Sequence, residues 1–396
     1  MATVRNVLFI MCDQLRADHL SCYGHPRLHT PNLDALAARG LRFERAYVTS
    51  TVCGPSRMSY YTGRYMASHG ATWNRVPLSV DERTLGDYLA PAGIAAHLTG
   101  KTHVVPDEAG IARYGIETES EKALFRAGRF TEVDRYDGHH EPHGESGYGD
   151  YLRAHGYPGE RPWHDYVVGA LDARGQPASG WQMRNVHLPA RVAAEHSETA
   201  YMTGRALEFI ERQGDTTWVL HLSYIKPHWP YMAPAPYHDR YRWADCIPPS
   251  RHLSENGGTR HPVYRAFREH EWSRSFSRDE VIERVKPVYM GLVKQIDDEL
   301  GRLFERLERA GRMRDTLIVF TADHGDLLGD HWLGEKEYFY EPVIRVPFIL
   351  YDPDPAADAT RGGAESRFVE NVDVLPTIVP PLLVNSVVKT FARPLP

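Results

Sequence analysis

The hydrophobic and polar positions of this chain predict short buried strands separated by helices. Asn6 to Cys12 (NVLFIMC) is a mostly apolar run of strand length that ends at Asp13, the pattern of a strand covered on both faces. After the polar stretch QLRADHL, Thr30-Pro31-Asn32 opens a helix through Leu33, Leu36 and Ala37, and Gly40 closes it. Gly54 and Pro55 break regular structure, which puts Cys53 at a loop-to-helix junction with Arg57 on the first helical turn. Thr84 to Ala90 reads as a short helix stopped by Pro91, and Ile94 to Thr99 as a strand ending at Gly100-Lys101. From Val104 to about Pro189 the chain is polar, rich in Gly, His, Tyr and Pro, and only weakly periodic. That stretch is expected to be a long insertion over the sheet edge.

Regular patterning resumes at Ser197 to Arg212, where Ala200, Ala206, Leu207 and Ile210 mark a helix. Trp218 to Leu222 is a strand, followed by the rigid loop Lys226-Pro227-His228-Trp229-Pro230. Val288, Leu292, Ile296, Leu300, Leu303 and Leu307 recur at spacings of three and four, an amphipathic helix ended by Gly311. Thr316 to Thr321 is the next strand, and Asp323-His324-Gly325 follows it directly. The recurring order of strand and helix predicts an α/β fold, an open, mostly parallel sheet with helices on both faces. In such sheets ligands bind beyond the carboxyl ends of the strands. Asp13, Lys101, His228, Asp323 and His324 all fall there, so they are expected to converge. No internal repeat divides the chain, and residues 1–396 read as a single domain with the insertion at about 104–189 and a short atypical tail, 379–396.

Composition narrows the function. Hydrophobic content of 42% and charged content of 25% are those of a soluble globular protein. A net charge of −6 without any Lys/Arg run argues against nucleic acid as a partner, so an anionic substrate needs a local cation cluster. Cys12, Cys22, Cys53 and Cys246 form no C-x-x-C pair and no disulfide framework. The N-terminal MATVRNVLFIMCDQ is too short to span a membrane and lacks a signal-peptide cleavage site, so no membrane partner and a cytoplasmic location are expected.

Two carboxylates and an imidazole, Asp13 and Asp323 with His324, make a divalent-metal site, although a lone acid after a strand is more often a helix cap. Lys101, His103, His228 and Lys336 supply the cations that an anionic ester needs, against the ordinary reading of each as a surface group. Asp330, His331 and the histidines between Asp137 and His143 keep that ordinary reading. A thiol at a helix N-terminus beside a guanidinium is primed for reaction, because both favour an anion.

These residues carry a resemblance. Cys53-Gly54-Pro55-Ser56-Arg57 with Thr62-Gly63-Arg64 resembles the C-x-P-x-R signature of the sulfatase family, within the alkaline phosphatase superfamily. NVLFIMCDQLRAD, TPNLDALAARGLRF, GKTH, KPHWPY, TLIVFTADHGDLLGDH, GEKEYFYEPVIRVPFIL and NVDVLPTI resemble further family elements in the family's order, from Asn6 to Ile378. The nearest pattern is that of the branch holding phosphonate monoester hydrolases and related arylsulfatases. The resemblance implies an alkaline phosphatase-like fold, with the C-terminal subdomain largely missing after PPLLVNSVVKTFARPLP. It also implies oxidation of Cys53 to formylglycine by a formylglycine-generating enzyme, a maturation partner. Hydrated, the aldehyde offers one hydroxyl for attack and a second whose deprotonation expels the inorganic anion, so a hard hydrolysis becomes an elimination.

Carried over residue by residue, Asp13, Asp323, His324 and modified Cys53 hold one metal ion. Arg57 supports the ionised diol, Lys101, Lys336 and His228 bind the ester oxygens, and His228 or Lys336 protonates the leaving group. His103 is the base of the elimination, and Asn74 a substrate contact. Gln14 stands where many sulfatases carry a second Asp, and His324 where many carry Asn, which shifts the metal preference from Ca2+ towards Mn2+. The expected activity is arylsulfatase-type hydrolysis of sulfate monoesters, with small anionic esters as substrates. Alternatives are phosphonate monoester or phosphodiester hydrolysis at the same site, or a truncated non-catalytic homologue. The apolar tail residues Val384, Val387, Val388 and Phe391 are expected to pack back on the sheet edge or to promote a homo-oligomer.

Overall fold

The computed structural model describes residues 4–138, 147–256 and 261–383, so the tail positions from 384 onward lie outside the described residues. Among the described residues ten strands follow in chain order: β1 (Asn6–Asp13), β2 (Leu41–Tyr47), β3 (Ala96–Gly100), β4 (Thr131–Arg135), β5 (Gly169–Leu171), β6 (Pro177–Ser179), β7 (Val219–Pro227), β8 (Thr316–Ala322), β9 (Phe348–Tyr351) and β10 (Gly363–Glu370). Eight of them form one sheet in the order β10-β2-β9-β8-β1-β7-β3-β4, and β5 and β6 pair separately. β9 runs antiparallel to both of its neighbours, and every other pairing in the large sheet is parallel. The expected mostly parallel sheet is therefore present.

β1, β7 and β8 are buried at every position, as their apolar runs require. In register, Cys12 lies opposite both Tyr224 of β7 and Ala322 of β8. The carboxyl ends of β8, β1, β7 and β3 are thus side by side, and strands about 4.8 Å apart bring the residues that follow them within reach of one another. β7 is longer than its apolar run suggests. It continues through Lys226-Pro227, residues read from sequence as loop.

Six helices frame the sheet: α1 (Pro31–Arg39), α2 (Cys53–Thr62), α3 (Leu85–Leu89), α4 (Glu198–Gln213), α5 (Asp279–Arg309) and α6 (Val374–Leu383). α1, α4 and α5 pack together on one face, while α2, α3 and α6 make a second group. Caps account for several of the boundaries. Ser197 Oγ accepts from Ala200 N at the start of α4, and Thr84 and Asp87 form a reciprocal capping box on α3. The first amides of α1 are held from outside the helix, where Asp297 Oδ1 of α5 accepts from Asn32 N (3.1 Å) and Leu33 N (2.9 Å).

Pro91 does not end the chain's helical path at α3, because it sits inside a short 3-10 turn, Ala90–Ala92. The described residues of 104–189 contain three short α-helices, Glu108–Arg113, Glu119–Arg126 and Gly147–Ala154, and their strand β4 pairs in parallel with β3 as the outer strand of the large sheet. Residues 379–383 form the last part of α6. No helix among the described residues is long and apolar enough to cross a membrane.

Candidate active site

Cys53 is the first residue of α2, and all ten residues of that helix are buried. Arg57 lies one turn further on, on the same face. Gly54 brings the helix start against the 74 loop. Its N–H donates to Asn74 Oδ1 at 2.8 Å, and a Cβ at position 54 would stand 3.1 Å from the Asn74 Cα. Asn74, expected as a substrate contact, thus commits its side-chain oxygen to the backbone beside Cys53.

The strand ends converge on the thiol. Cys53 Sγ lies 3.8 Å from Asp13 Oδ1, 3.0 Å from His324 Nε2 and 3.2 Å from Lys336 Nζ. One donor atom from each of Asp13, Cys53, Asp323 and His324 lies within 4.8 Å of the other three. Ligands at 2.0–2.6 Å from a common ion cannot be more than about 5 Å apart, so the four fit one divalent cation. His324 is oriented for it, since its Nδ1–H donates to Gly325 O at 2.8 Å and Nε2 is aimed into the cluster. Asp323 Oδ1 accepts from the amides of Gln14 (3.0 Å) and His324 (2.9 Å).

Cations close the cluster from behind. Arg57 Nε donates to Asp323 Oδ2 at 2.8 Å, and its Nη1 to Lys101 O (2.9 Å) and Ser223 Oγ (2.7 Å). Arg57 Nη2 stands 3.5 Å from Asp13 Oδ2, the oxygen that Lys101 Nζ also grips. Lys336 Nζ donates to Gln14 Oε1 at 3.0 Å and to His228 Nε2 at 3.1 Å. His228 Nδ1–H in turn donates to Trp229 O at 2.6 Å. His103 is held through its backbone, because Asp137 Oδ1 accepts from the amides of Thr102 (2.9 Å) and His103 (3.0 Å) while Arg135 grips Asp137.

These charges set the protonation of the site. Burial would raise the Asp13 carboxyl, but Lys101, His228, Arg57 and Lys336 together hold it well below the carboxylate range. Burial and Asp13 push the Cys53 thiol up, yet Lys336, His324 and Lys101 outweigh them and bring it below its ordinary value. Burial pulls His324 down, but Asp323 and Cys53 raise it to about 8. Gln14 (φ 66°), His103 (φ 58°) and Glu335 (φ 63°) hold left-handed backbone conformations, strain of the kind that gathers at functional sites.

Several contacts of the site carry no sequence signal of their own. Gln14 ties Lys336 to Asp326, donating from Nε2 to Asp326 Oδ2 at 2.6 Å, and Tyr231 OH donates to the same oxygen at 2.6 Å. Buried Glu198 pairs with Lys226 at 3.1 Å under the His228 loop. The DHGD spacing hints at Asp326, but the others become visible only when distant strands meet.

The mostly parallel sheet with a buried cluster beyond its carboxyl end agrees with the alkaline phosphatase superfamily, to members of which this chain is similar. The sulfatase family model matches residues 5–382, and the chain belongs to the sulfatase family. It is 34% identical to the multifunctional alkaline phosphatase superfamily protein PehA of Trinickia caryophylli, over 95% of this chain and 73% of that protein. It is 27% identical to an arylsulfatase of Clostridium perfringens, over 94% of this chain and 74% of that protein. It superposes on the phosphonate monoester hydrolase of Silicibacter pomeroyi with a TM-score of 0.82 and 30% identity, covering 95% of this chain and 73% of that structure. The protein is a hydrolase of the sulfatase family.

Proposed function

We propose that this protein hydrolyses sulfate monoesters, with formylglycine derived from Cys53 as the nucleophile and one divalent ion held by Asp13, Asp323, His324 and residue 53. The observation that carries the reading is the convergence of three further metal-type donors, from Asp13, Asp323 and His324, and of an ammonium around a single buried atom, Cys53 Sγ. Bound there, the ion supplies Lewis acidity and formylglycine supplies a hydrated aldehyde with two hydroxyls. Arg57 holds Asp323 in place and puts a fixed positive charge behind residue 53. Lys101 and Lys336 offer cationic donors to the ester oxygens.

The hydrogen bonds favour Lys336 over His228 as the proton donor to the leaving oxygen. His228 gives its Nδ1 proton to Trp229 O, so its Nε2 accepts from the Lys336 ammonium. By accepting one of its N–H bonds, His228 fixes the direction of that ammonium, which keeps its proton for the leaving oxygen. His103 serves as the base that restores the aldehyde. The two oxygen-rich side chains and the imidazole suit Mn2+ as well as Ca2+.

A second reading, phosphonate monoester hydrolysis by the same groups, is favoured by the 0.82 TM-score to the Silicibacter pomeroyi enzyme. The deciding experiment is mass spectrometry of the Cys53 peptide, with turnover of 4-nitrophenyl sulfate and 4-nitrophenyl phenylphosphonate measured side by side. Preference for the phosphonate ester overturns the first reading in favour of the second. An unmodified thiol in fully active protein overturns the formylglycine assignment.

A further inference from the structure

Beside the catalytic cluster lies a cleft of about 570 Å3 that none of the roles above uses. Its walls come from segments far apart in sequence, with Trp181 and Met183 from one, Trp229 from the second, Trp272 from the third, and buried Glu335 beside them. The Trp181 and Trp229 rings meet edge to face with centroids 5.1 Å apart, and Trp272 stands 6.5 Å from Trp229. The cleft adjoins the proton-donating pair on both sides. The Trp229 ring stacks on His228 with centroids 5.5 Å apart, and Glu335 immediately precedes Lys336. Lys336 Nζ is 3.1 Å from His228 Nε2 and 3.2 Å from Cys53 Sγ, so the pair that borders the cleft through Trp229 and Glu335 also reaches the thiol.

We infer that this cleft is the subsite for the leaving alcohol and that it takes a planar aromatic ring, a phenol or naphthol. The inference rests on the reading of the cluster as an ester hydrolase. Three indoles give faces and edges on which a one- or two-ring aromatic stacks, and the volume is that of a small-molecule site. A quaternary ammonium alcohol is the other guest that indoles attract. The charges here do not favour it. Glu271 and Glu335 are matched by Arg184 and Arg278, so the lining has no net negative charge. Burial also pushes the Glu335 carboxyl up to about 8, despite the opposing pull of Lys336, so near neutral pH it is chiefly an uncharged hydrogen-bonding group.

The test uses full-length protein carrying Cys53→Ala, in which binding is read without turnover. Titration with 2-naphthol, followed by indole fluorescence, is expected to give a saturable quench. Trp181→Ala and Trp272→Ala on that background are each expected to weaken it about threefold to tenfold, the loss of one aromatic contact. Both side chains are partly exposed, so their truncation leaves the core intact. In enzyme that retains Cys53, the same substitutions are expected to lower the ratio of kcat/KM for 2-naphthyl sulfate over 2,2,2-trifluoroethyl sulfate by a similar factor. Absence of a saturable quench, indifference to both substitutions, or tighter binding of choline than of 2-naphthol overturns the inference. If 2-naphthol binds as expected while no ester is turned over, the subsite stands and the hydrolase reading falls. If aryl esters are turned over but the tryptophan variants change neither binding nor the ratio, the hydrolase reading stands and the subsite falls.

Discussion

Glu335→Gln tests the electrostatics of the site without reference to turnover. The Glu335 carboxyl is 2% exposed, and burial raises its pKa from an ordinary 4.5 to about 8, against the favourable pull of Lys336. A raised carboxyl pKa means that the folded protein holds a proton that the unfolded chain releases between those two values. Stability therefore falls as pH rises through that window, by up to about 1.4 kcal/mol per pH unit, and levels off once the folded state also ionises. Across the whole interval the loss is at most about 5 kcal/mol, a large share of the stability of a typical domain. Glutamine keeps the shape of the protonated acid and cannot ionise. Urea unfolding of wild type and Glu335→Gln is expected to give nearly equal stabilities at pH 5. At pH 8.5 the variant is expected to be the more stable by about 2–5 kcal/mol, with the urea slope unchanged. A difference that stays constant with pH, or that turns against the variant as pH rises, refutes the assignment of a buried protonated acid here.

Cys53→Ala is expected to lose turnover by about a thousandfold or more, and Cys53→Ser to stop after a single slow event, checked by burst kinetics and intact mass. Asp323→Asn removes one of two carboxylates from the metal donors and leaves Arg57 Nε without its 2.8 Å partner. Its Mn2+ and Ca2+ dissociation constants, measured by calorimetry on apo-protein, are expected to rise about a hundredfold. Lys336→Met is expected to cost about a hundredfold in kcat for a basic leaving group and much less for 4-nitrophenol, and a loss uniform across leaving groups would remove Lys336 as the acid.

Much of this protein is legible from local pattern. β1, β7 and β8 announce themselves because strands buried on both faces need nearly continuous apolar runs. α5 does so because a helix packed along one face repeats its apolar residues at three and four. β2 and β10 have mixed and exposed positions, and β9 is only four residues long, so they carry little periodic signal and are recognised by their pairing alone. β4 was hidden for a similar reason. As the outer strand it is polar, and it lies inside a stretch that reads as an insertion.

The candidate site divides in the same way. The residue types at the strand ends, and the helix break that presents Cys53, are properties of short segments, so the sequence by itself determined which groups are available. Only the tertiary structure decided which of them meet. Sheet order puts β8, β1, β7 and β3 side by side and so draws Asp323, Asp13, His228 and Lys101 together, while pairing between strands hundreds of residues apart leaves no local trace. The Gln14–Lys336 bond and the three-tryptophan cleft arise in the same manner, because hydrogen bonding and ring packing act through space between segments that the chain's own order keeps apart.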